Sequence, residues 1–312
     1  MKKIGYCSAF SDDILSFLDM KTALGYSYIS YAPALRTFDR LCSRQFPDDD
    51  TVTREIFRAF TDSESLCGAS KNRQCYVLNA FSRYQIALGK DAYICCESHP
   101  EKKHEAYVFT DEELAALFCA AGSLKPTVRN DVRHLVLPAM LRVMYCCGLR
   151  PNEARNIRLC DVSLHDRTIV IHLTKDREDR IVLMGKDLAL LSACYISDVS
   201  RLMPKMEYLF ENPHGGPFSS DWLRQNFRRL VKDAGLENHG GSFPRPYDLR
   251  HTFATNTIRR WLENGMDVEA NLPYLRAYLG HSSIEATMYY VHSDPATLMN
   301  TGFLDWEENG NE

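Results

Sequence analysis

Residues 246–254 read PYDLRHTFA and residues 279–292 read LGHSSIEATMYYVH, and these two stretches carry most of the chemically informative side chains. The first places Tyr247, Arg250 and His251 at positions i, i+3 and i+4, which share one face of an α-helix. A phenol, a guanidinium and an imidazole therefore converge on one side of the predicted helix.

The second stretch begins with a glycine and His281 and ends near a pair of tyrosines. Ser282 and Ser283 are residue types that favour the N-cap of a helix. The helix that follows carries Tyr289 and Tyr290 two turns later. This places a phenol on a helix near an arginine.

Residues 148–157, GLRPNEARNI, supply a matching half of the same site. An apolar helix is predicted to end at Gly148 and a new helix to start at Pro151, since helices favour glycine after the last turn and proline in the first. Arg150 then lies at a sharp turn between two helices. We expect Glu153 to cap the new helix or orient its neighbours.

Between these halves, residues 167–173 (RTIVIHL) and 180–184 (RIVLM) alternate as the strands of a β-hairpin. The polar turn TKDRED joins the strands and places Lys175 near the hairpin tip. Two arginines, one lysine, one histidine and one tyrosine can therefore point at a single anion.

In order and spacing, these residues resemble the motifs of the tyrosine recombinase (phage integrase) family, which is related to the Xer recombinases. The resemblance covers residues 105–293 closely and residues 10–90 weakly. The matching positions are Arg150 in GLRPNEA, Lys175 on the hairpin, Arg250 in the HxxR box, Leu279, Gly280 and His281 in the LGH box, and Tyr290 in TMYYVH.

Tyr247 departs from the family, which usually has a histidine at this position of the HxxR box. A phenol can donate a hydrogen bond to a phosphate oxygen but is a poor base at neutral pH. We therefore expect Tyr247 to position the phosphate. The acceptor of the nucleophile's proton stays open.

The resemblance implies that Tyr290 attacks phosphorus, that a 5′-hydroxyl leaves, and that the DNA stays joined through a 3′-phosphotyrosine. Arg150 and Arg250 would stabilise negative charge on the nonbridging oxygens in the transition state. Lys175 resembles the general acid of the family, and His281 is expected to hydrogen-bond a nonbridging oxygen. The reaction is expected to need no metal ion, no other cofactor and no ATP.

The fold is expected to be mainly α-helical with a small β-sheet, and the 312 residues suit two domains. Residues 1–95 have the pattern of a helical bundle, which in the family grips one face of the DNA core site. Residues 96–107 are predicted to be a linker and residues 108–293 the catalytic domain. Residues 294–312 form an acidic tail with apolar residues, for which docking on another subunit, docking on its own subunit and disorder all stay open.

The individual elements follow from apolar periodicity, capping residues and glycine stops. A third short strand is predicted at 208–210. Helices are predicted from Ser11 to Gly25, from near Ser27 onwards, at 51–62 and 71–88, from Thr110 with a capping box to Glu113, and at 130–147, 186–201, 219–234, 246–263, 268–279 and 282–292.

The composition, with 45% hydrophobic and 25% charged residues, is that of a soluble globular protein. No apolar run is long enough to span a bilayer, and the N-terminus lacks an apolar signal segment, so the cytoplasm is the expected compartment. The 11 cysteines lack the spacing of a zinc site, which predicts buried, reduced thiols and no metal.

The net charge of −4 argues by itself against a nucleic-acid partner. Basic residues are nevertheless clustered next to the predicted phosphate site. Arg224, Arg228 and Arg229 follow one predicted helix and Arg245 comes shortly after it, so we expect these four residues to contact DNA. The resemblance implies a double-stranded DNA recombination site as partner, bound by a homotetramer on two sites. The free protein is expected to be a monomer or weak dimer without a membrane partner.

Three functions from different classes remain open. The first is a recombinase that exchanges strands between two DNA sites, and the second is an enzyme like a type IB topoisomerase that nicks and reseals one duplex. The third is a DNA-binding relative with impaired catalysis, which the full set of five motif residues disfavours. The helical N-terminal domain resembles recombinases better than topoisomerases.

Overall fold

The computed structural model describes residues 5–26, 28–62, 67–100, 106–126, 132–172, 179–237 and 243–292. The chain divides into two compact units, Met1–His104 and Glu105–Glu312. Lys175 and the acidic tail lie outside the described residues, so the predictions about them stay predictions. Within the described ranges, none of the helices has both the length and the apolar character that crossing a membrane requires.

The described part of the first unit is a bundle of α-helices, as its sequence pattern predicted. The second helix begins later than expected, because Tyr28–Ser30 form a separate 3₁₀ turn and Pro33 occupies the first turn of the helix proper. The helices are α1 (Ser11–Ala23), α2 (Ala32–Gln45), α3 (Arg54–Thr61) and α4 (Gly68–Ala87).

Aromatic side chains form the core of this bundle. Phe10 and Phe38 meet edge to face with ring centroids 5.1 Å apart, and Phe17 and Phe81 do so at 5.6 Å. All four side chains are fully buried. Edge-to-face pairs of this kind stabilise a core beyond the area that they bury.

Two asparagines of α4 hold the chain segment that follows the bundle. The side chain of Asn79 donates to the carbonyl oxygen of Cys95 (2.8 Å) and accepts from its amide (2.9 Å). Asn72 makes the same pair of bonds to His99, at 2.9 and 2.8 Å. Because the two asparagines lie about two helical turns apart on α4, the extended segment runs along this helix. The segment includes the beginning of the predicted linker.

The second unit combines helices with one small sheet, which confirms the mainly α-helical fold with a β-sheet. The capping box is also confirmed, since Thr110 and Glu113 each accept from the other's backbone amide. The helices are α5 (Asp111–Gly122), α6 (Arg133–Cys146), α7 (Pro151–Arg155), α8 (Lys186–Leu202), α9 (Ser220–Asp233), α10 (Asp248–Glu263), α11 (Val268–Leu279) and α12 (Glu285–His292).

The sheet is antiparallel and has the order β1 (Val162–Ser163), β2 (Thr168–Ile171) and β3 (Arg180–Leu183). The hairpin of β2 and β3 was predicted, but the third strand at 208–210 is wrong. Glu211 accepts from the backbone amides of Glu207 (2.7 Å) and Tyr208 (2.9 Å), which curls that segment into a turn. Only an isolated bridge between Arg158 and Tyr208 remains there.

The buried cysteines that the sequence suggested are only partly found. All 11 cysteines are free thiols, and Cys42, Cys75 and Cys147 are buried. Seven others are exposed, among them Cys67 and Cys160. Among the described residues, no group of histidine, cysteine and acidic side chains is arranged to hold a metal ion.

Candidate functional site

Arg150 lies at the turn between α6 and α7, where its sequence position placed it. Gly148 has a φ of 60°, and a Cβ there would lie 2.5 Å from Cδ1 of Phe253. The turn therefore requires glycine, which alone avoids both the strain and the clash. Arg150 is the N-cap of α7, and its Nη2 donates to the carbonyl oxygen of Gly280 (2.6 Å).

Glu153 is a carboxylate without exposed side-chain surface. It caps α7 by accepting from the backbone amide of Arg150 (2.8 Å), and its Oε1 accepts from Nη1 of the same residue (2.8 Å). Of the two expected roles of Glu153, capping of its helix is confirmed. It also accepts from Arg180 at 3.0 and 2.8 Å and lies 3.8 Å from Nη1 of Arg250. Burial favours the protonated acid, but the arginines outweigh this and lower the pKa of Glu153.

Arg250 is the largest fully buried side chain of α10. Its Nη1 donates to the carbonyl oxygen of Gly148 (3.0 Å), and its Nη2 donates to that of Leu279 (2.7 Å). Nη2 also contacts Nε2 of His281 (2.8 Å). Burial lowers the pKa of Arg250, yet a guanidinium stays charged in proteins. Arg250 thus joins the GLR turn to the LGH turn.

The contacts of His281 identify its tautomer. A guanidinium can only donate, so Nε2 of His281 accepts from Arg250, and Nδ1 carries the proton. Nδ1 then donates to Oγ1 of Thr287 (2.8 Å). Burial and the nearby charges of Arg250, Arg150 and Arg180 lower the pKa of His281 to about 3. The ring is therefore neutral around physiological pH.

Tyr290 lies on α12 with only 3% of its surface exposed. Its ring stacks on that of His281, with centroids 5.7 Å apart and planes 24° apart, and meets the ring of His251 at 5.3 Å. Burial raises the pKa of Tyr290, while the positive charge of Arg250 acts in the opposite direction. The phenol thus lies within the field of the buried arginine.

Tyr247 directly precedes α10 and is half-buried. Its ring lies 5.0 Å from that of His251, which in turn contacts Tyr290. Burial lowers the pKa of Arg150, but Glu153 and then Tyr247 raise it above its usual value. The phenol of Tyr247 is therefore close to a guanidinium of the site, at the position of the HxxR motif where a histidine is usual.

The structure brings together the five predicted residues that it describes. They are Arg150, Tyr247, Arg250, His281 and Tyr290, drawn from the start of α7, from α10 and from the segment after α11. Lys175 lies in the turn between β2 and β3, outside the described residues. The described part of the site is a buried group of cations next to a phenol, which suits the binding of an anion.

The four arginines that were predicted to contact DNA lie on the surface. Arg224 pairs with Asp221 (2.9 Å) on the exposed side of α9, and Arg245 lies 3.5 Å from Asp248. Arg228 lies 5.4 Å over the ring of Phe243, and Arg229 is exposed. Their contact with DNA stays a prediction.

Arg180 is the residue of this site that the sequence analysis missed. It opens β3, and its side chain is only 14% exposed. A signal was present, because Arg180 and buried Val182 lie two positions apart and so face the same side of the strand. A charged residue on the inner face of a sheet needs a partner, and Glu153 is that partner.

Comparison with known proteins gives a family match that lies within the second unit. Residues 108–297 match the phage integrase family. Tyrosine recombinase XerD of Bifidobacterium longum is 30% identical over 84% of this chain and 85% of its own length. Among solved structures, XerH recombinase bound to its difH substrate covers 96% of this chain and 85% of its own, with a TM-score of 0.64 at 21% identity. A lambda integrase tetramer bound to a Holliday junction covers 89% of this chain and 76% of its own, with a TM-score of 0.62 at 17% identity.

Proposed function

We propose that the chain cleaves and rejoins DNA through a 3′-phosphotyrosine, because it belongs to the phage integrase family and is a tyrosine-type site-specific recombinase. One observation carries the proposal: Tyr290 is buried on the ring of His281, which Arg250 contacts directly. A nucleophile and the cations that its reaction needs therefore lie together.

Charge stabilisation is the task that we assign to Arg150 and Arg250. Negative charge builds up on the nonbridging oxygens as a nucleophile attacks a phosphodiester, and oriented cations lower that barrier most when they are fixed in advance. Both guanidiniums already donate to carbonyl oxygens of the main chain, and that of Arg150 also donates to Glu153. A guanidinium can also bond two phosphate oxygens at once.

His281 can serve a phosphate in either of its neutral tautomers. With Nε2 as acceptor it orients Arg250, as described above. If a nonbridging oxygen takes the bond from Arg250, Nε2 can carry the proton and donate to that oxygen. Thr287 can then donate to Nδ1, because a hydroxyl both donates and accepts. The expected bond from His281 to the phosphate thus needs no change in its partner residue.

Two further roles complete the proposal. Lys175 is the general acid that protonates the leaving 5′-oxygen, which its usual pKa of about 10.4 allows. Tyr247 positions the phosphate, a role supported by its place beside His251, whose ring contacts Tyr290. The retained bond energy of the phosphotyrosine makes ATP unnecessary, and the arginines supply the charge that a metal ion supplies in many nucleases.

We extend the proposal to the partner and the assembly. The related structures include XerH bound to difH DNA and a lambda integrase tetramer bound to a Holliday junction. By analogy, this chain binds a double-stranded recombination site and assembles as a tetramer on two sites. Residues 1–95 act as the core-binding domain, and the exposed arginines of α9 contact the DNA backbone.

The nucleophile is tested with a nicked suicide substrate that traps the covalent adduct. Tyr290→Phe should abolish the adduct, because it removes the attacking oxygen and keeps the ring that packs on His281. Tyr289→Phe is the matched control, one position along the same helix, and should keep the adduct. If only Tyr289→Phe lost the adduct, Tyr290 would not be the nucleophile. A strand-exchange assay with two sites then separates recombination from nicking and resealing of one duplex.

A further inference from the structure

Arg180 joins the β-hairpin to both motif turns of the site. Its Nη1 and Nη2 donate to the two oxygens of Glu153 at 3.0 and 2.8 Å, and its Nε donates to the carbonyl oxygen of Tyr278 (2.9 Å). All three nitrogens of the guanidinium are thus engaged, and the plane of the group cannot rotate without breaking a bond. A bidentate pair of this kind adds geometric precision as well as energy.

Glu153 links the orientation of Arg180 to that of Arg150, because it bonds both residues. Its Oε1 accepts from Nη1 of both arginines, and its Oε2 accepts from Nη2 of Arg180 and from the backbone of Arg150. The carboxylate is fully buried, so water cannot replace a lost partner. Without Arg180, Glu153 would be free to turn toward Arg250, whose Nη1 is 3.8 Å away. The guanidinium of Arg150 would then keep its bond to the carbonyl oxygen of Gly280 but lose the second bond that fixes its plane.

The charges around Glu153 also indicate a site that binds an anion. Three guanidiniums, those of Arg150, Arg180 and Arg250, face one carboxylate among the described residues. With His281 neutral, two positive charges remain uncompensated. This excess suits a phosphodiester whose transition state gains negative charge.

We propose that Arg180 is a positioning residue for strand cleavage, which acts through Glu153 to hold Arg150 toward the scissile phosphate. This inference rests on the function proposed above for the site. Arg180 need not touch the DNA, since its own donors are taken by Glu153 and Tyr278. Lysine cannot replace it, because an ammonium lacks the planar fork that bonds both carboxylate oxygens.

The test is single-turnover cleavage by the full chain on two substrates, one with a normal scissile phosphate and one with a methylphosphonate there. Arg180→Lys should slow cleavage of the phosphate by about 10- to 100-fold, the range found when a residue that orients a metal ligand is lost. Site-specific DNA affinity should be unchanged. On the neutral methylphosphonate the deficit should nearly vanish, because the transition state then carries one negative charge fewer, which Arg250 can balance without Arg150.

The matched control is Arg201→Lys, which alters an exposed arginine that pairs with Asp198 at 3.5 Å on α8. It should match wild type on both substrates. Arg180→Gln is the second variant, in case Arg180→Lys fails to fold, since its amide can still donate one bond to Glu153. If both variants lose site binding and the cooperative thermal transition, Arg180 is structural and the proposal is overturned.

The experiment also distinguishes failure of the role proposed for Arg180 from failure of the function proposed for the site. An equal deficit on both substrates, or wild-type cleavage by Arg180→Lys, would overturn the inference alone. Arg150→Ala, measured in parallel, reports on the function. If it cleaves the phosphate substrate like wild type, the function proposed for the site fails, whatever Arg180 does.

Discussion

His281 is neutral in the folded protein because Arg250 donates to its Nε2 and because burial and the arginines lower its pKa to about 3. An unfolded histidine titrates near pH 6.5. Between these two values the unfolded chain binds more protons than the folded chain. The contribution of His281 to stability is therefore complete above about pH 6.5 and is lost as the pH falls below it.

This linkage predicts a difference between wild type and His281→Gln. As the pH falls from 7 to 5, the free energy of unfolding of wild type should drop relative to the variant, by at most about 1.4 kcal/mol per pH unit. Tryptophan fluorescence in urea measures this, since all 3 tryptophans lie in the second unit. A difference that is independent of pH would mean that His281 titrates normally.

Gly148 and Gly235 allow the strain of a turn to be separated from a clash. Both come two positions after the end of a helix, with φ of 60° and 72°. A Cβ at 148 would lie 2.5 Å from Phe253, whereas a Cβ at 235 would meet nothing within 4 Å. Gly235→Ala should cost about 1–2 kcal/mol for the left-handed backbone. Gly148→Ala should cost about 1–3 kcal/mol more, because it overpacks the core.

The same urea titration measures both glycine variants. Cleavage should fall with Gly148→Ala as well, because the carbonyl of Gly148 accepts from Arg250. Gly235→Ala should cleave DNA at the wild-type rate. Equal losses of stability in the two variants would show that the contact with Phe253 relaxes without cost.

Arg180 marks the limit of what single residues could predict. Local signals in the sequence, namely a glycine, a cap or a helix periodicity, predicted the positions of Arg150, Arg250, His281 and Tyr290. The partner of Arg180 lies on another element, and alternation along a strand tells only which way a side chain faces. Tertiary pairing of this kind needs the fold.

The segment along α4 can be tested through its hydrogen bonds. Asn79→Ala removes both bonds to Cys95, each of which contributes about 1 kcal/mol. Hydrogen exchange at the amide of Cys95 should then be at least about fivefold faster, while His99 keeps its protection. Asn72→Ala is the reciprocal control and should expose His99 instead. If either variant exposed both amides, the segment would open as one unit.

Helices were predicted better than strands, for a physical reason. The capping box at Thr110 and the glycine stop at Gly148 are local signals, and both helix ends were found. The strand that was predicted at 208–210 does not form, because the apolar residues there fit a buried turn as well as a strand. Glu211 decides between them by bonding two amides of that turn.

The net charge of −4 conceals a site with the opposite sign. Surface arginines that contact DNA would contribute to affinity through counterion release, which depends steeply on salt. Arg250 and Glu153 are buried and are screened much less. Raising the salt from about 50 to 200 mM should therefore weaken DNA binding by orders of magnitude. The first-order cleavage rate of preformed complexes should change little.

This prediction is checked with complexes assembled at low salt and then shifted to high salt with excess competitor DNA. Single-turnover adduct formation gives the rate constant, and a parallel equilibrium titration gives the affinity. A rate constant that falls in step with the affinity would place the catalytic charges at the surface. Arg224→Gln should flatten the salt dependence of binding without altering the rate constant.

Three of the oxygens that hold Arg150 and Arg250 belong to the main chain, at Gly148, Leu279 and Gly280. A carbonyl is present whatever side chain its residue carries. Evolution can therefore exchange Leu279 for another apolar residue without removing an acceptor. The two glycines have no such latitude, since each has a positive φ and a neighbour within 3.1 Å of a Cβ. The placement of Arg150 and Arg250 therefore depends in part on the backbone conformation at Gly148 and Gly280, which a side-chain substitution elsewhere would leave in place.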